Sequence, residues 1–428
     1  MKKIVVGMMM VFGTYATSFA QDLISRELKN LLNQSLLYFP KVKEVKQSVQ
    51  IAQDKLALTE LNKYPDITID ASYAYVQPKI EVAFGEKTFQ FSPEHNVSGA
   101  INGSYILFDF GRLQSNIQKA KLELQTSEHV AEQLKQNLFF QISQLYYQII
   151  YAKKAIEIQD QVLQLLNENK MIVETQLKNG NAIQLDVLTI QSKIDNEKNR
   201  KIDLETNVEK LLNLLKYATG VATIADAQLS VSLKNYTLDE AIQIATLHNP
   251  SIAIAKDKVD VSKAEVAIVK LNEKPIVGLK ASVGSRNGYL PQIQDPRFNY
   301  NAGVGFSLPL FNGGKTKQQI KIQERSLALS ETNMVAQLHD FEKDIQAALI
   351  DIKSYESRIK NSATQITQAA LAQKLSVGKL KNGTATPIEI TATNADYQRA
   401  LLNQLQYQYQ LCSAQLELIK LMGIELAD

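Results

Sequence analysis

The stretch Leu107-Phe108-Asp109-Phe110-Gly111-Arg112 returns 203 residues later as Leu310-Phe311-Asn312-Gly313-Gly314-Lys315, and this repetition decides how the chain folds. At the same offset Leu177-Lys178-Asn179-Gly180 recurs as Leu380-Lys381-Asn382-Gly383, and Gly220 as Gly423. Upstream, Pro40 and Pro65 match Pro250 and Pro275 at an offset of 210, so the first copy carries a loop seven residues longer between Pro65 and Leu107. Self-similarity at a fixed period marks a repeat architecture. The chain reads as repeat 1 over 21–220 and repeat 2 over 250–428, joined by a segment at 221–249.

Between Gly111 and Gly180 lie 68 residues without proline, and another 68 between Gly314 and Gly383. In the first stretch Leu138, Ile142, Leu145, Ile149, Ala152, Ile156, Gln159, Leu163 and Leu166 follow a 4-3 spacing. Phe341, Ile345, Ala348, Ile352, Tyr355, Ile359, Ser362, Ile366 and Ala369 repeat it, with the one polar member at the same place. A sustained 3.5-residue period means coiled-coil packing. Long helices are predicted over 112–179 and 315–382, each about 100 Å long at 1.5 Å per residue. The Asn-Gly pairs end them, glycine supplying the left-handed residue of a helix stop. Return helices follow at 181–219 and 384–422. Helices 41–63 and 251–273 complete the pattern, so that each long helix lies beside two shorter ones stacked end to end.

Four segments alternate with period two, at about 65–77, 95–108, 275–286 and 298–310. Ile67, Ile69, Ala71, Tyr73 and Tyr75 interleave with Thr68, Asp70, Ser72 and Ala74; Tyr300, Ala302, Val304 and Phe306 interleave with Asn301, Gly303 and Gly305. Such alternation in hairpin pairs is the transmembrane β-barrel signature. Tyr73, Tyr75, Tyr105, Phe298 and Tyr300 are candidates for its aromatic girdles. The loops at 78–94 and 287–297 suit an exterior face. Four strands cannot close a barrel, and an open edge in lipid leaves backbone groups unsatisfied. Three chains supply twelve strands and room for a lumen. The fold class is an α+β membrane protein, mostly α, built as two tandem repeats.

The 428 residues are 45% hydrophobic and 21% charged, enough to bury a core. Lys+Arg 47 against Asp+Glu 44 gives +3, which argues against a nucleic-acid partner. Cys412 stands alone, excluding an internal disulfide and a thiolate metal cluster. His95, His129, His248 and His339 share no metal-ligand spacing. No catalytic residue, metal or cofactor is expected. Residues 1–20 read as a signal peptide: Lys2-Lys3, an apolar run from Ile4 to Gly13, then Ser18-Phe19-Ala20 as the cleavage site. No cysteine follows the site, so a lipid anchor is not expected. No later run reaches the roughly 18 apolar residues of a spanning helix.

The strand-to-helix motif Pro309 to Lys315, its first copy Leu107 to Arg112, and the helix-turn-helix at Gly180 and Gly383 followed by Asp186 and Glu389 together resemble the TolC-type outer-membrane efflux and secretion channel family. The likeness runs over essentially the whole mature chain. In the motif, Gly111, Gly313 and Gly314 let the backbone turn sharply, while Asp109 or Asn312 can cap the helix start. The resemblance implies a homotrimer with a twelve-stranded barrel in outer-membrane lipid and a periplasmic α-barrel, without chemistry of its own. It implies as partners a periplasmic adaptor (membrane fusion protein) and an inner-membrane transporter of resistance-nodulation-division or ABC type, the latter as in type I secretion. It places the protein in the outer membrane of a Gram-negative cell, extending into the periplasm, with 221–249 near the equator of the tube.

Matched residue by residue, Asn179-Gly180-Asn181 and Asn382-Gly383-Thr384 fall on the family's adaptor-contact tips. Asp186 and Glu389 fall where acidic rings line the entrance. The best-known members tie that entrance with a tyrosine and an arginine. Here those positions are Leu380 and Ala385, and a second acidic position is Ala392. A different closing mechanism and weaker cation block are therefore expected. The alternative, a periplasmic adaptor or helical scaffold, would need extra domains split around one hairpin, and two equivalent hairpins count against it.

Overall fold

In the computed structural model, residues 23–85, 87–224 and 228–426 are described; the expected signal peptide lies outside them. The elements run α1 (Arg26–Tyr38), α2 (Pro40–Leu61), β1 (Asp66–Tyr75), β2 (Glu81–Phe84), β3 (Lys87–Gln90), β4 (His95–Phe108), α3 (Arg112–Lys178) and α4 (Gln184–Thr219). The second half repeats the plan with α5 (Leu238–His248), α6 (Pro250–Leu271), β5 (Ile276–Arg286), β6 (Arg297–Ser307), α7 (Lys315–Lys381) and α8 (Pro387–Met422). Both long helices have 67 residues and both return helices 36.

The duplication extends to the backbone. Three glycines of each copy lie in the left-handed region at matching places, with φ of 86° and 79° at Gly111 and Gly314, 78° and 72° at Gly180 and Gly383, and 79° and 75° at Gly220 and Gly423. Side chains rarely adopt this conformation, which is why glycine holds all six positions.

The helices form a row. α3 packs against α4 and α2, and also against α8 and α6; α7 packs against α8 and α6. The free edges of the row are α2/α4 at one side and α7 at the other. On α3 the heptad residues Leu138, Ile142, Ile149, Ala152, Gln159 and Leu166 are buried, and on α7 Ile345, Ala348 and Ser362. The seam between α3 and α6 carries a set of polar pairs. Asp257 accepts from Gln125 Nε2 at 2.9 Å and meets His129 Nδ1 at 2.6 Å, while Gln133 donates to Ser251 Oγ at 2.7 Å.

End-to-end stacking takes two chemical forms. In the first copy Phe39 and Tyr217 stack edge-to-face at 5.7 Å where α4 meets α2. In the second, Asn249 donates to Leu421 O at 2.9 Å and Lys420 O at 3.3 Å, and its Oδ1 accepts from Ser251 N at 2.8 Å. One amide side chain thus satisfies the last carbonyls of α8 and caps α6.

The strands form an antiparallel sheet in the order β1-β4-β5-β6, with β1 and β6 as open edges. Its register keeps the binary pattern across all four strands. Ile69, Ile101, Val283 and Tyr300 make one row, and Thr68, Asn102, Ser282 and Asn301 the next. The sheet therefore has one apolar and one polar face.

Three features depart from expectation. The return helices begin three residues late, because 181–183 and 384–386 are needed to reverse the chain; Ile183 and Thr386 are extended N-caps. The loop at 78–94 contains a hairpin, β2-β3. Two short helices, α1 and α5, precede the Pro40 and Pro250 junctions. Both begin at a side-chain cap, Ser25 and the Thr237–Glu240 capping box.

Candidate functional site

At the far end of the helices each long helix closes with the same Schellman motif. Gly180 N donates to Leu177 O at 3.1 Å and Asn181 N to Gln176 O at 2.8 Å; Gly383 N donates to Leu380 O and Thr384 N to Lys379 O, both at 2.9 Å. Asn179, Gly180, Asn181, Asn382, Gly383 and Thr384 are all exposed. These motifs leave the six tip residues as the outermost surface of the two hairpins.

Asp186 and Glu389 both engage their own helix starts. Asp186 Oδ2 accepts from Ile183 N at 3.0 Å. Glu389 Oε2 accepts from Thr386 N at 3.0 Å, and Thr386 Oγ1 accepts from Glu389 N at 3.3 Å, a full capping box. Ile183 has no acceptor, so the first copy has only half of that box. Asp186 is half-buried and Glu389 exposed.

Leu380, which replaces the expected tyrosine, is fully buried with Val173, Val187, Ile190 and Ile390. This cluster joins the two hairpins, and Gln176 Nε2 adds a hydrogen bond to Leu380 O. Ala385 is half-buried in the turn. Higher up, the polar heptad position becomes a buried node. Gln159 Nε2 donates to Glu197 Oε2 at 2.9 Å and to its carbonyl at 2.9 Å, and Gln398 Nε2 donates to Gln159 Oε1 at 3.0 Å and Glu197 Oε2 at 3.3 Å. Lys193 Nζ lies 2.9 Å from Glu197 Oε1. Burial alone would push the Glu197 carboxyl up, but the hydrogen bonds from Lys193, Gln159 and Gln398 hold it down at about 2. Gln176, Glu197 and Gln398 were missed by the sequence reading, and only the polar interruption at Gln159 pointed to this node.

At the opposite end, Asp109 caps α3: its carboxylate accepts from Gly111 N at 3.0 Å and Leu113 N at 2.6 Å. Asn312 instead donates to Thr316 Oγ1 at 2.6 Å, and Gly314 starts α7 without a side-chain cap. Gly313 repeats the left-handed turn that Phe110 makes in the first copy, with φ of 65° against 56°. Arg112 fastens the junction by donating to Leu271 O at 2.7 Å.

The five candidate aromatics share the apolar face at two levels. Tyr73, Tyr75, Phe298 and Tyr300 lie toward the end away from the helices, where Tyr73 bonds His95 at 2.9 Å. Tyr105 lies toward the helices, opposite Leu279. Phe108 and Phe306, both opposite Val277, join it and were not anticipated. All seven are exposed, from 38% at Tyr105 to 77% at Tyr300, although apolar side chains gain by leaving water. Among the described residues no helix is long and apolar enough to cross a membrane, and no group of three or more His, Cys, Asp or Glu is placed to hold a metal.

The sequence profile of the family described as outer membrane efflux protein matches residues 31–221 and 241–424, one block in each copy. The cation efflux system protein CusC of Escherichia coli K12 is 19% identical over 377 residues, 86% of this chain and 80% of CusC. The outer membrane efflux protein BepC of Brucella suis is 18% identical over 433 residues, 100% of this chain and 91% of BepC. The fold of VceC from Vibrio cholerae superposes with a TM-score of 0.79 at 18% identity, over 92% of this chain and 96% of that one. The outer-membrane channel OprN gives 0.81 at 16% identity, over 94% and 91%. With duplicated helical hairpins, a two-faced sheet and profile matches in both copies, the chain belongs to the outer membrane efflux protein family of TolC type and is an outer-membrane conduit that extends into the periplasm.

Proposed function

We propose that three copies close head to tail into a continuous tunnel, the exit duct of a tripartite efflux pump or type I secretion system. In this reading each chain is two tandem copies, 21–220 and 250–428, around an equatorial segment at 221–249. The observation that carries the reading is that sheet and helix row end in matching edges. The first copy leaves β1 and α2/α4 unpartnered, the second leaves β6 and α7. An open strand edge in lipid is costly, and a heterologous contact whose rotation closes makes a ring.

The internal repeat supplies the joint. Inside the chain β4 of copy one pairs with β5 of copy two; between chains β6 would pair with β1 by the same rule. Shifting Ile101 by 203 and Val283 back by 210 turns the pair Ile101–Val283 into Val304 opposite Tyr73 of the next copy. Both lie on the apolar face, as lateral continuation of a barrel requires. Twelve strands then enclose a lumen lined by the polar face, with the two levels of aromatics at the lipid boundaries. Long apolar side chains left bare on α7, among them Ile322, Leu329, Ile350 and Leu371, face the next copy's α2/α4 edge, which leaves Ile51, Leu58, Leu188 and Ile202 bare.

The six exposed tip residues contact a periplasmic adaptor, and an inner-membrane transporter of resistance-nodulation-division or ABC type supplies cargo. Asp186 and Glu389, three of each, ring the entrance; the closed entrance is held by the Leu380 cluster rather than a polar tie. The joint is tested by cysteines at Gln47 and Thr332, the positions that the repeat transfers from Asp257 and His129. Both are exposed in the single chain. Oxidation of Gln47→Cys/Thr332→Cys in membranes is expected to yield covalent dimers and trimers on a denaturing gel, and monomers alone would count against the ring.

A further inference from the structure

Two arginines stand side by side on the polar face of the sheet. Arg286 ends β5, Arg297 opens β6, and the register makes them direct cross-strand partners. Their row continues through Ser98 to Ser72, whose hydroxyls are 2.7 Å apart. Like charges directly opposite one another destabilise a strand pair, and a counter-charge ordinarily offsets this. Neither guanidinium has one among the described residues. Arg286 Nε donates to Tyr289 OH at 3.0 Å; Arg297 donates to Leu290 O at 3.1 Å and Gln292 Oε1 at 3.2 Å. All three acceptors are neutral. The loop's own acid, Asp295, is exposed and in no ion pair with either.

Nearby acids are already engaged. Asp70 accepts from Thr68 at 3.1 Å and Asn102 at 2.6 Å, and Glu94 pairs with Lys79 at 2.5 Å. The first copy manages without arginines here: Val76 and Glu94 stand at the equivalent positions. The strand-loop-strand unit therefore does not require them. Arg286 also holds Tyr289, and Arg297 holds Leu290 and Gln292, which fixes the charges at the root of the loop.

We propose that Arg286 and Arg297, six in the closed ring, form a site at the outer mouth that binds anionic solutes, carboxylates and phosphates, and makes the exit favour anions over cations. The inference rests on the trimeric tunnel proposed above. A guanidinium presents its donors as a planar fork that matches carboxylate and phosphate oxygens. Charges of one sign lining a passage with low-dielectric walls raise the local concentration of the opposite sign. The screening length is about 10 Å at 0.1 M salt and about 3 Å at 1 M, so the preference is strongest in dilute salt.

The test is the zero-current potential of the full-length trimer in a planar bilayer under a potassium chloride gradient. Wild type is compared with Arg286→Gln/Arg297→Gln and with Arg286→Lys/Arg297→Lys, each first shown to be a trimer by native mass. The glutamine pair is expected to move the potential toward cations, with the permeability ratio changing about threefold near 0.1 M salt and little near 1 M. The lysine pair keeps the charge but loses the guanidinium fork and the clasp. Chloride senses the charge alone, so the lysine pair is expected to match wild type in this measurement. A glutamine pair that behaves as wild type overturns the site, and so does a lysine pair that shifts as far as glutamine, since the clasp alone would then be responsible. A wild-type trimer that conducts nothing contradicts the tunnel itself, a different result from a conducting trimer with an unmoved potential.

Discussion

Glu197 shows how one buried side chain links two hairpins. It is 1% exposed, lies on α4, and is bonded by Gln159 of α3 and Gln398 of α8. Its folded pKa of about 2 lies below its ordinary 4.5. A depressed carboxyl pKa contributes stability that is complete above the unfolded value and is lost as pH falls through the folded one. The expected contribution is about 3 kcal/mol at neutral pH, declining between about pH 5 and 2. Acid titration of the melting temperature should show that decline in wild type and a flatter profile in Glu197→Gln. Glu389 makes a separate prediction. Removing its capping-box carboxylate in Glu389→Ala should cost about 1 kcal/mol. Divalent-cation block of single channels should weaken in the same variant, and unchanged block would remove Glu389 from the entrance ring. The sequence marked Glu389 through its place after the turn, and it marked Gln159 as a polar break in a heptad. Glu197 and Gln398 were not legible, because burial on a neighbouring helix depends on which faces meet, and spacing within one helix does not report that.

Among the helix ends, that of α8 carries a sharp steric constraint. A Cβ on Gly423 would stand 2.5 Å from His248 C and 2.6 Å from Asn249 N, whereas one on Gly180 would meet nothing within 4 Å. Both glycines are left-handed, so alanine strains each by about 1 kcal/mol, but only Gly423→Ala must also part α8 from the α5–α6 junction. Its loss of stability should be clearly larger than that of Gly180→Ala in thermal melts of the purified protein, and equal losses would contradict the stacked junction. Long proline-free stretches with a 3.5-residue period made α3 and α7 legible to within a residue, since burial on one helical face imposes that period. The return helices were read three residues too early because the reversal needs extended residues that no periodicity announces. The β2-β3 hairpin escaped notice for a related reason: its four-residue strands are too short for alternation to stand out. The Thr237–Glu240 capping box was present in the sequence and would have revealed α5.

For the whole molecule, the two-faced sheet and the row of helices are incomplete in one chain, and the same two edges are open in both. Exposed Tyr300, Phe306, Leu329 and Leu371 make sense once lipid or a neighbouring copy covers them. The internal offset of 203 and 210 residues made the architecture legible, because a duplicated unit that cannot bury its own edges must stack on its like. Cys412, the single thiol, is buried, and burial pushes it up to about 12. It should therefore stay silent when introduced cysteines are oxidised, and labelling by a maleimide at neutral pH should leave the folded wild-type protein unmodified. The measurement that bears most directly on the tunnel is the native mass of protein extracted from membranes in mild detergent. The account predicts a single species of three chains; a stable, well-folded monomer would contradict it, because four strands with two open edges cannot line a pore.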